Sequence, residues 1–172
     1  MGYYKLSDSD GPEIKKYTSR IGILITLLNY LDYHVQIFIE AILDLENDKS
    51  TTQPIIALTR SFDFSRRINF LKSLIKSKHK QELADYTKLY DEIIKCSEIR
   101  NNIAHSQIYF WDDDKGTHMM VSNMKKTELP PEKAYDQLTV KELDDYIKKF
   151  QDLIDRFSSF TYKLGYFQGH RV

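Results

Sequence analysis

Cysteine is almost missing from this chain of 172 residues: the single Cys96 excludes an internal disulfide. It also excludes a zinc site built from paired cysteines, and it fits a reducing compartment. An excess of either charge is missing too, since 25 basic residues face 25 acidic ones. No global field therefore draws the protein to nucleic acid or an anionic membrane, and nucleic-acid binding requires a local patch. Long hydrophobic runs are absent as well. The longest, Ile21 to Leu28, falls short of the ~20 residues a membrane span needs, and Asn29, Asp32 and His34 follow at once. The polar first twelve residues read as a loose start, with no basic-then-apolar signal pattern and no lipidation context. There is no internal repeat or low-complexity tract. The expectation is a soluble, cytoplasmic single domain over residues 1–172, with no membrane contact. Such a length supports one core but not a catalytic unit plus a separate sensor, so a regulatory partner would be another chain.

Hydrophobic period organises what is present. From about Glu13 to Leu45, Ile21, Leu24, Leu28, Leu31, Val35, Phe38, Ile42 and Leu45 recur at three- and four-residue steps and predict one long helix. Ile25 and Ile39 widen its apolar stripe, which implies more than one neighbour. Asn47 to Ser50 breaks the pattern. Thr51 or Thr52 can cap a second helix, with Pro54 in its first turn, running to Lys76. That helix is the most basic part of the chain, with Arg60, Arg66, Arg67, Lys72 and Lys76. By charge alone it is the one phosphate-binding surface, although such faces are commonly just solvated. A third helix runs from Gln81 to about Ala104, on Leu83, Tyr86, Leu89 or Tyr90, Ile93, Cys96 and Ile103.

Gln107 to Trp111 and His118 to Met124 predict two strands of a hairpin around a turn at Asp112 to Gly116. The three aspartates lack the distal acid of a calcium loop, so a turn is the better reading. Pro130-Pro131 marks a loop. Thr139 and Glu142 form a capping box before the cleanest amphipathic helix, Leu143 to Leu164, which ends at Gly165. The predicted fold is all-α: an antiparallel up-and-down bundle of about four long helices, with a short β-hairpin (about 107–124) inserted before the last. Twelve tyrosines and nine phenylalanines make a homodimer interface a natural use of a wide stripe.

The densest polar chemistry is Arg100-Asn101-Asn102-Ile103-Ala104-His105-Ser106, at the end of the third helix. Helical spacing puts Ser97, Asn101 and His105 on one face, with Arg100 beside them and long enough to reach across. A guanidinium that stays charged suits a phosphate oxygen, and an imidazole can take or give a proton near neutral pH. The amide of Asn101 can hold the ring or the substrate. These are the parts for metal-free phosphodiester chemistry, in which the 2′-hydroxyl of RNA attacks its neighbouring phosphate and no cofactor is needed. A histidine in the last helical turn also serves as a plain C-terminal cap, stabilised by ~0.3–1 kcal/mol through the helix dipole.

The stretch Glu98 to His105 resembles the signature of HEPN domains, where an Arg is followed by a polar residue, often Asn, and a His closes the motif. Here four residues intervene between Arg100 and His105. The resemblance covers most of the chain as architecture and these few residues as sequence. It implies a homodimer in which two motifs face each other across a composite cleft and cut RNA without metal, leaving a 2′,3′-cyclic phosphate and a 5′-hydroxyl. On that resemblance Arg100 stabilises the phosphate, His105 is general base or acid, and Asn101 fills the polar position. Ser97, Arg66 and Arg67 are candidate substrate-binding residues. Members of the family are often toxins or antiviral effectors, some restrained by an antitoxin or regulatory protein. Others only bind nucleic acid, a nucleotide or a protein, which is the alternative function here. One departure stands out: a subgroup with a nucleotidyltransferase antitoxin carries a Tyr two residues after the His, where this chain has Gln107.

Overall fold

A computed structural model describes residues 11–44, 49–106, 108–113, 116–122 and 135–166 of the chain. The protein is mostly helical, with a three-stranded antiparallel sheet between the last two helices. In chain order the elements are α1 (Pro12–Asp44), α2 (Lys49–Arg60), α3 (Phe64–Lys78), a 3-10 turn (Lys80–Glu82), α4 (Leu83–His105), β1 (Ile108–Asp113), β2 (Gly116–Ser122), β3 (Tyr135–Leu138) and α5 (Val140–Lys163). The expected loops at 47–48, 114–115 and 130–131, the start up to residue 10, and Gln107 lie outside the described residues.

The chain divides into two compact units. One holds Met1–Leu28 with Cys96–Phe150, the other Asn29–Lys95 with Gln151–Val172. In the first, Tyr17, Leu24, Leu28, Cys96, Ile103, Phe110, Met119, Val121, Leu143 and Phe150 are buried together with few polar groups among them. The alternation of β1 and β2 puts Phe110 opposite Met119, both fully buried. Tyr17 packs its ring 5.7 Å from that of Phe110 and donates its hydroxyl to the Thr117 carbonyl at 3.2 Å, which ties the start of α1 to the sheet. Arg20 closes the same unit with two bonds to Asp144 of α5, at 2.7 and 3.1 Å.

In the second unit Phe38 meets Phe157 and Phe160 edge-on, and Leu31, Val35, Ile39, Ile68, Leu71, Ile75, Tyr86 and Ile93 are buried with them. Full burial of such side chains contributes ~1.5–3 kcal/mol each. Two ion pairs set the direction of α4 against α5: Arg156 holds Glu92, and Lys163 holds Asp85 at 3.1 Å. The partner number falls on α4 as it rises on α5, so these two segments are antiparallel.

Three expectations need correction. The second helix is broken into α2 and α3, because Asp63 adopts an extended backbone and its carboxylate accepts from the Arg66 N–H at 2.8 Å, starting a new helix. Helix α2 begins at Lys49, not at Thr51 or Thr52, so Pro54 stands one turn in, where its missing N–H removes a helical bond. A third strand, Tyr135–Leu138, extends the hairpin into a sheet. Its four residues are too few and too polar to show a period of two. By contrast, the limits of α1, α4 and α5 fall within two or three residues of the sequence expectation, and Thr139 and Glu142 form the capping box, with Glu142 N–H bonding Thr139 Oγ1 at 3.1 Å and Thr139 N–H bonding Glu142 Oε2 at 2.8 Å.

Helix α1 is also long and apolar enough to cross a membrane, which the short Ile21 to Leu28 run did not indicate, and 33% of the qualifying stretch is buried inside the protein. Its Leu24, Leu28, Leu31, Val35, Phe38 and Ile42 are core residues.

Candidate functional site

The last two turns of α4 carry the site. Tyr86, Leu89, Ile93, Cys96 and Ile103 form the buried row of this helix. At ~100° per residue the next position of that row after Cys96 is residue 100. There the chain places Arg100 instead of an apolar residue. The helix stays docked because Ile103, 3% exposed, resumes the row one turn later. An Ile103→Ala change would remove that anchor at a cost of ~2–5 kcal/mol.

Arg100 therefore leaves the helix on its packed side and works outward. Its Nε is buried and has no hydrogen-bond partner among the described residues. Its Nη1 emerges and donates to Asn101 Oδ1 at 3.0 Å. A guanidinium has only donors, so the amide oxygen of Asn101 must face it, and the amide NH₂ is presented on the other side, toward solvent. Asn101, Asn102 and Ala104 are exposed, and Ser97, one turn earlier on the Asn101 side, is half-buried. His105 is the last residue of α4. Helical spacing places it four residues beyond Asn101, ~6 Å along the axis; its side chain lies outside what is described.

The other described arginines are occupied. Among the described residues, Arg20, Arg60, Arg66, Arg67 and Arg156 each hold a carboxylate. Arg100 holds none. This distinction was legible in the sequence in one respect that periodicity alone passes over: a charged residue sits at a core position of an otherwise regular apolar row. An unpaired, partly desolvated guanidinium costs stability, and such costs are retained where a site uses the charge.

Arg66 and Arg67 belong to the second unit. Arg67 is 15% exposed and is bonded to Asp32 and, through Nη2, to the Phe62 carbonyl at 2.6 Å. Arg66 is 74% exposed and only 3.6 Å from Asp63 Oδ2, its loose partner. Of the two, Arg66 keeps its donors outward, while Arg67 braces α3 against α1. No three His, Cys, Asp or Glu side chains converge to hold a metal among the described residues.

No family model, no curated protein and no solved structure matches this chain. The site's chemistry therefore rests on its own geometry. A fixed positive charge emerges beside outward amide donors at a helix C-terminus, where the dipole also favours cations. A tetrahedral or trigonal-bipyramidal oxyanion is the group that such donors would hold best.

A second polar cluster, in the second unit, has a structural account. Glu40 accepts Arg60 Nε at 2.8 Å, Arg60 Nη2 at 2.9 Å and Gln36 Nε2 at 2.7 Å, and Gln36 also reaches Thr59 Oγ1 at 3.2 Å. The bidentate Arg60 holds the Glu40 carboxyl below the usual carboxylate range. Beside it, Ile37, Ala41, Gln53 and Ile56 line a cavity of about 290 Å³. With its carboxylate saturated, this cluster joins α1 to α2 and offers no free reactive group.

Proposed function

We propose that the protein is a metal-independent endoribonuclease of the HEPN type, acting as a homodimer whose two motifs form one cleft. The observation that carries this reading is Arg100, the arginine without a carboxylate partner among the described residues, set on the buried row of α4 with its Nη end brought to the surface beside Asn101. In the reaction the 2′-oxygen of RNA bonds to the adjacent phosphorus and the bond from phosphorus to the 5′-oxygen breaks. A base takes the proton of the 2′-hydroxyl and an acid gives one to the departing 5′-oxygen. Arg100 binds the phosphoryl oxygens as charge builds on them, the Asn101 NH₂ adds a second donor, and His105 moves the proton. One imidazole cannot be base and acid in the same step, so the second copy of the motif supplies the other. Ser97, one turn before Asn101, is available for a flanking nucleotide, and Arg66, in the other unit, remains a candidate for RNA contact by its exposed charge alone.

The cellular setting that fits such chemistry is a cytoplasmic toxin or antiviral effector held in check by a partner protein. The test is incubation of RNA with chelator present, comparing the wild type with Arg100→Ala and His105→Ala and mapping the ends. Expected are 2′,3′-cyclic phosphate and 5′-hydroxyl ends from the wild type alone. Cleavage retained in both variants would sink the assignment. A non-catalytic module that binds nucleic acid, nucleotide or protein is the competing reading, favoured by the zero net charge; it requires RNA to remain intact while a complex forms.

A further inference from the structure

The sheet has two faces, and the core uses one of them. Along β1 and β2 the side chains alternate, and Phe110, Met119 and Val121 are buried on the inner face. The places between them fall on the other face. There the register sets Tyr109 opposite Met120 and Met120 opposite Gln137, one residue from each strand, with His118 two places along β2 from Met120. Tyr109, His118 and Met120 are half-buried and Gln137 is exposed. None of the four carries a fixed charge, and the first three offer flat or polarisable surface.

His118 and Gln137 are joined across the strands, the amide Nε2 donating to the ring Nδ1 at 3.0 Å. An amide nitrogen has only donors, so Nδ1 accepts and the proton of the neutral ring sits on Nε2. The bond steadies Gln137, whose amide has a further N–H and an oxygen side by side, a pair of groups that matches the edge of a nucleobase. A ring, a thioether and an amide edge thus stand in one row across the three strands.

We infer that this outward face of the sheet holds single-stranded RNA, with bases lying on Tyr109 and Met120 and one base edge meeting Gln137. The inference rests on RNA being the ligand, as proposed above, and adds the surface that grips it. Its place in the chain supports it: α4 ends at His105 and β1 starts at Ile108, in the same compact unit as Arg100 and Asn101. Tyr109 follows His105 by four residues. That is a Cα separation of at most ~14 Å, the length of about four stacked nucleotides at ~3.4 Å each. Aromatic side chains on an antiparallel sheet accept any base, since every base has a π-face, whereas a duplex hides its base faces in the stack. A protein partner is the poorer occupant, because the centre of a protein interface is dry and apolar, and here the hydrogen-bonded imidazole and amide stand beside Met120.

The experiment reads binding apart from cleavage. His105→Ala protein, chosen to leave RNA intact, is titrated with a labelled oligouridylate, single-stranded or annealed to its complement, and the complex is cross-linked by ultraviolet light and mapped by mass spectrometry. Expected are binding of the single strand in preference to the duplex, and cross-links in β1 at Tyr109. Adding Tyr109→Ala is expected to weaken binding by roughly 5- to 150-fold, the loss of one stacked base, and Tyr109→Phe, which keeps the ring, is expected to retain it. With His105 in place, Tyr109→Ala should raise KM for a single strand more than it lowers kcat. Equal affinity for strand and duplex, cross-links that avoid the sheet, or a KM unmoved by Tyr109→Ala would each overturn the inference, while a wild type that still cuts RNA keeps the ribonuclease reading. A wild type that cuts nothing but cross-links at Tyr109 would remove the ribonuclease reading and uphold the sheet as a strand-binding face. If Tyr109→Ala lowers the mass seen by light scattering and leaves RNA affinity unchanged, the face belongs to a protein contact and the inference fails.

Discussion

Arg100 Nη1 donates to the Oδ1 of its sequence neighbour Asn101 at 3.0 Å, although helical geometry starts the two side chains ~100° apart. The arginine has bent from the packed side of α4 to the exposed side, and the amide has been turned by it. Both orientations follow from one bond: the guanidinium is steadied and the amide NH₂ is aimed at solvent. The pair is thus held in one arrangement by that bond, which is the preorganisation the proposed anion site would need.

Because Arg100 Nε is buried without an acceptor among the described residues, the arginine should be a liability to folding. An Arg100→Met protein is expected to melt at or above the wild-type temperature while its RNA cleavage falls by ~10²–10³-fold, the usual loss for a missing oxyanion donor. A clear drop in melting temperature would mean that the residue is structural.

Asn101→Asp keeps the size of the side chain but replaces a neutral amide with a carboxylate. The new charge should pair with Arg100, adding ~0.2–1 kcal/mol to stability at an exposed position, and should repel phosphate. Cleavage and RNA retention are expected to fall further than in Asn101→Ala. Filter binding of labelled RNA compares the two; equal binding would show that the amide does not face the substrate.

Acid stability should report the Glu40–Arg60 bond. Arg60 lowers the Glu40 carboxyl below its ordinary value, so the unfolded chain binds the proton first as pH falls. That contribution is complete above the ordinary glutamate value of ~4.3 and is lost as pH drops through the lowered one. Arg60→Gln should therefore show a shallower fall of melting temperature from pH 5.5 downward than the wild type. Parallel curves would refute it.

His34 is lowered as well, by desolvation. Its cation is disfavoured in the folded state, so stability should decline as pH falls below the ordinary histidine value of ~6.5. His34→Gln should flatten melting temperature across that window, and an NMR titration of the ring should place its midpoint below the free value.

Removing the N-terminal cap of α5 with Thr139→Ala should cost ~0.5–2 kcal/mol by denaturant unfolding, since it leaves the Glu142 N–H without its acceptor. Glu142→Ala should cost less, because the two donors it frees, the Thr139 N–H and hydroxyl, are exposed to water while the Glu142 N–H keeps its cap.

Much of the fold was written into the pattern of residues. The apolar rows of α1, α4 and α5 are long enough for the 3.6-residue period to stand above noise, and Thr139 with Glu142 marks a helix start through bonds made within four residues. The break at Asp63 was equally local, an acid three residues before Arg66, but it was hidden between Leu58, Phe62 and Phe70, which keep a helical spacing across it. Strand β3 was not legible because Tyr135 to Leu138 takes its conformation from pairing with β2, not from its own sequence.

For the site, spacing alone grouped Ser97, Asn101 and His105 and put Arg100 near them, since those relations are properties of any helix. Which side of α4 is packed, and hence that Arg100 begins in the core row and must reach out of it, depends on neighbours brought from distant parts of the chain. The same is true of the arginine pairings. Arg67 meets Asp32 across 35 residues and Arg20 meets Asp144 across 124, so sequence could rank these cations only by number. Tertiary contacts sorted them: acids from other helices neutralise four of the six described arginines, Arg20, Arg60, Arg67 and Arg156, the N-cap acid Asp63 holds Arg66, and Arg100 alone is left without a carboxylate among the described residues.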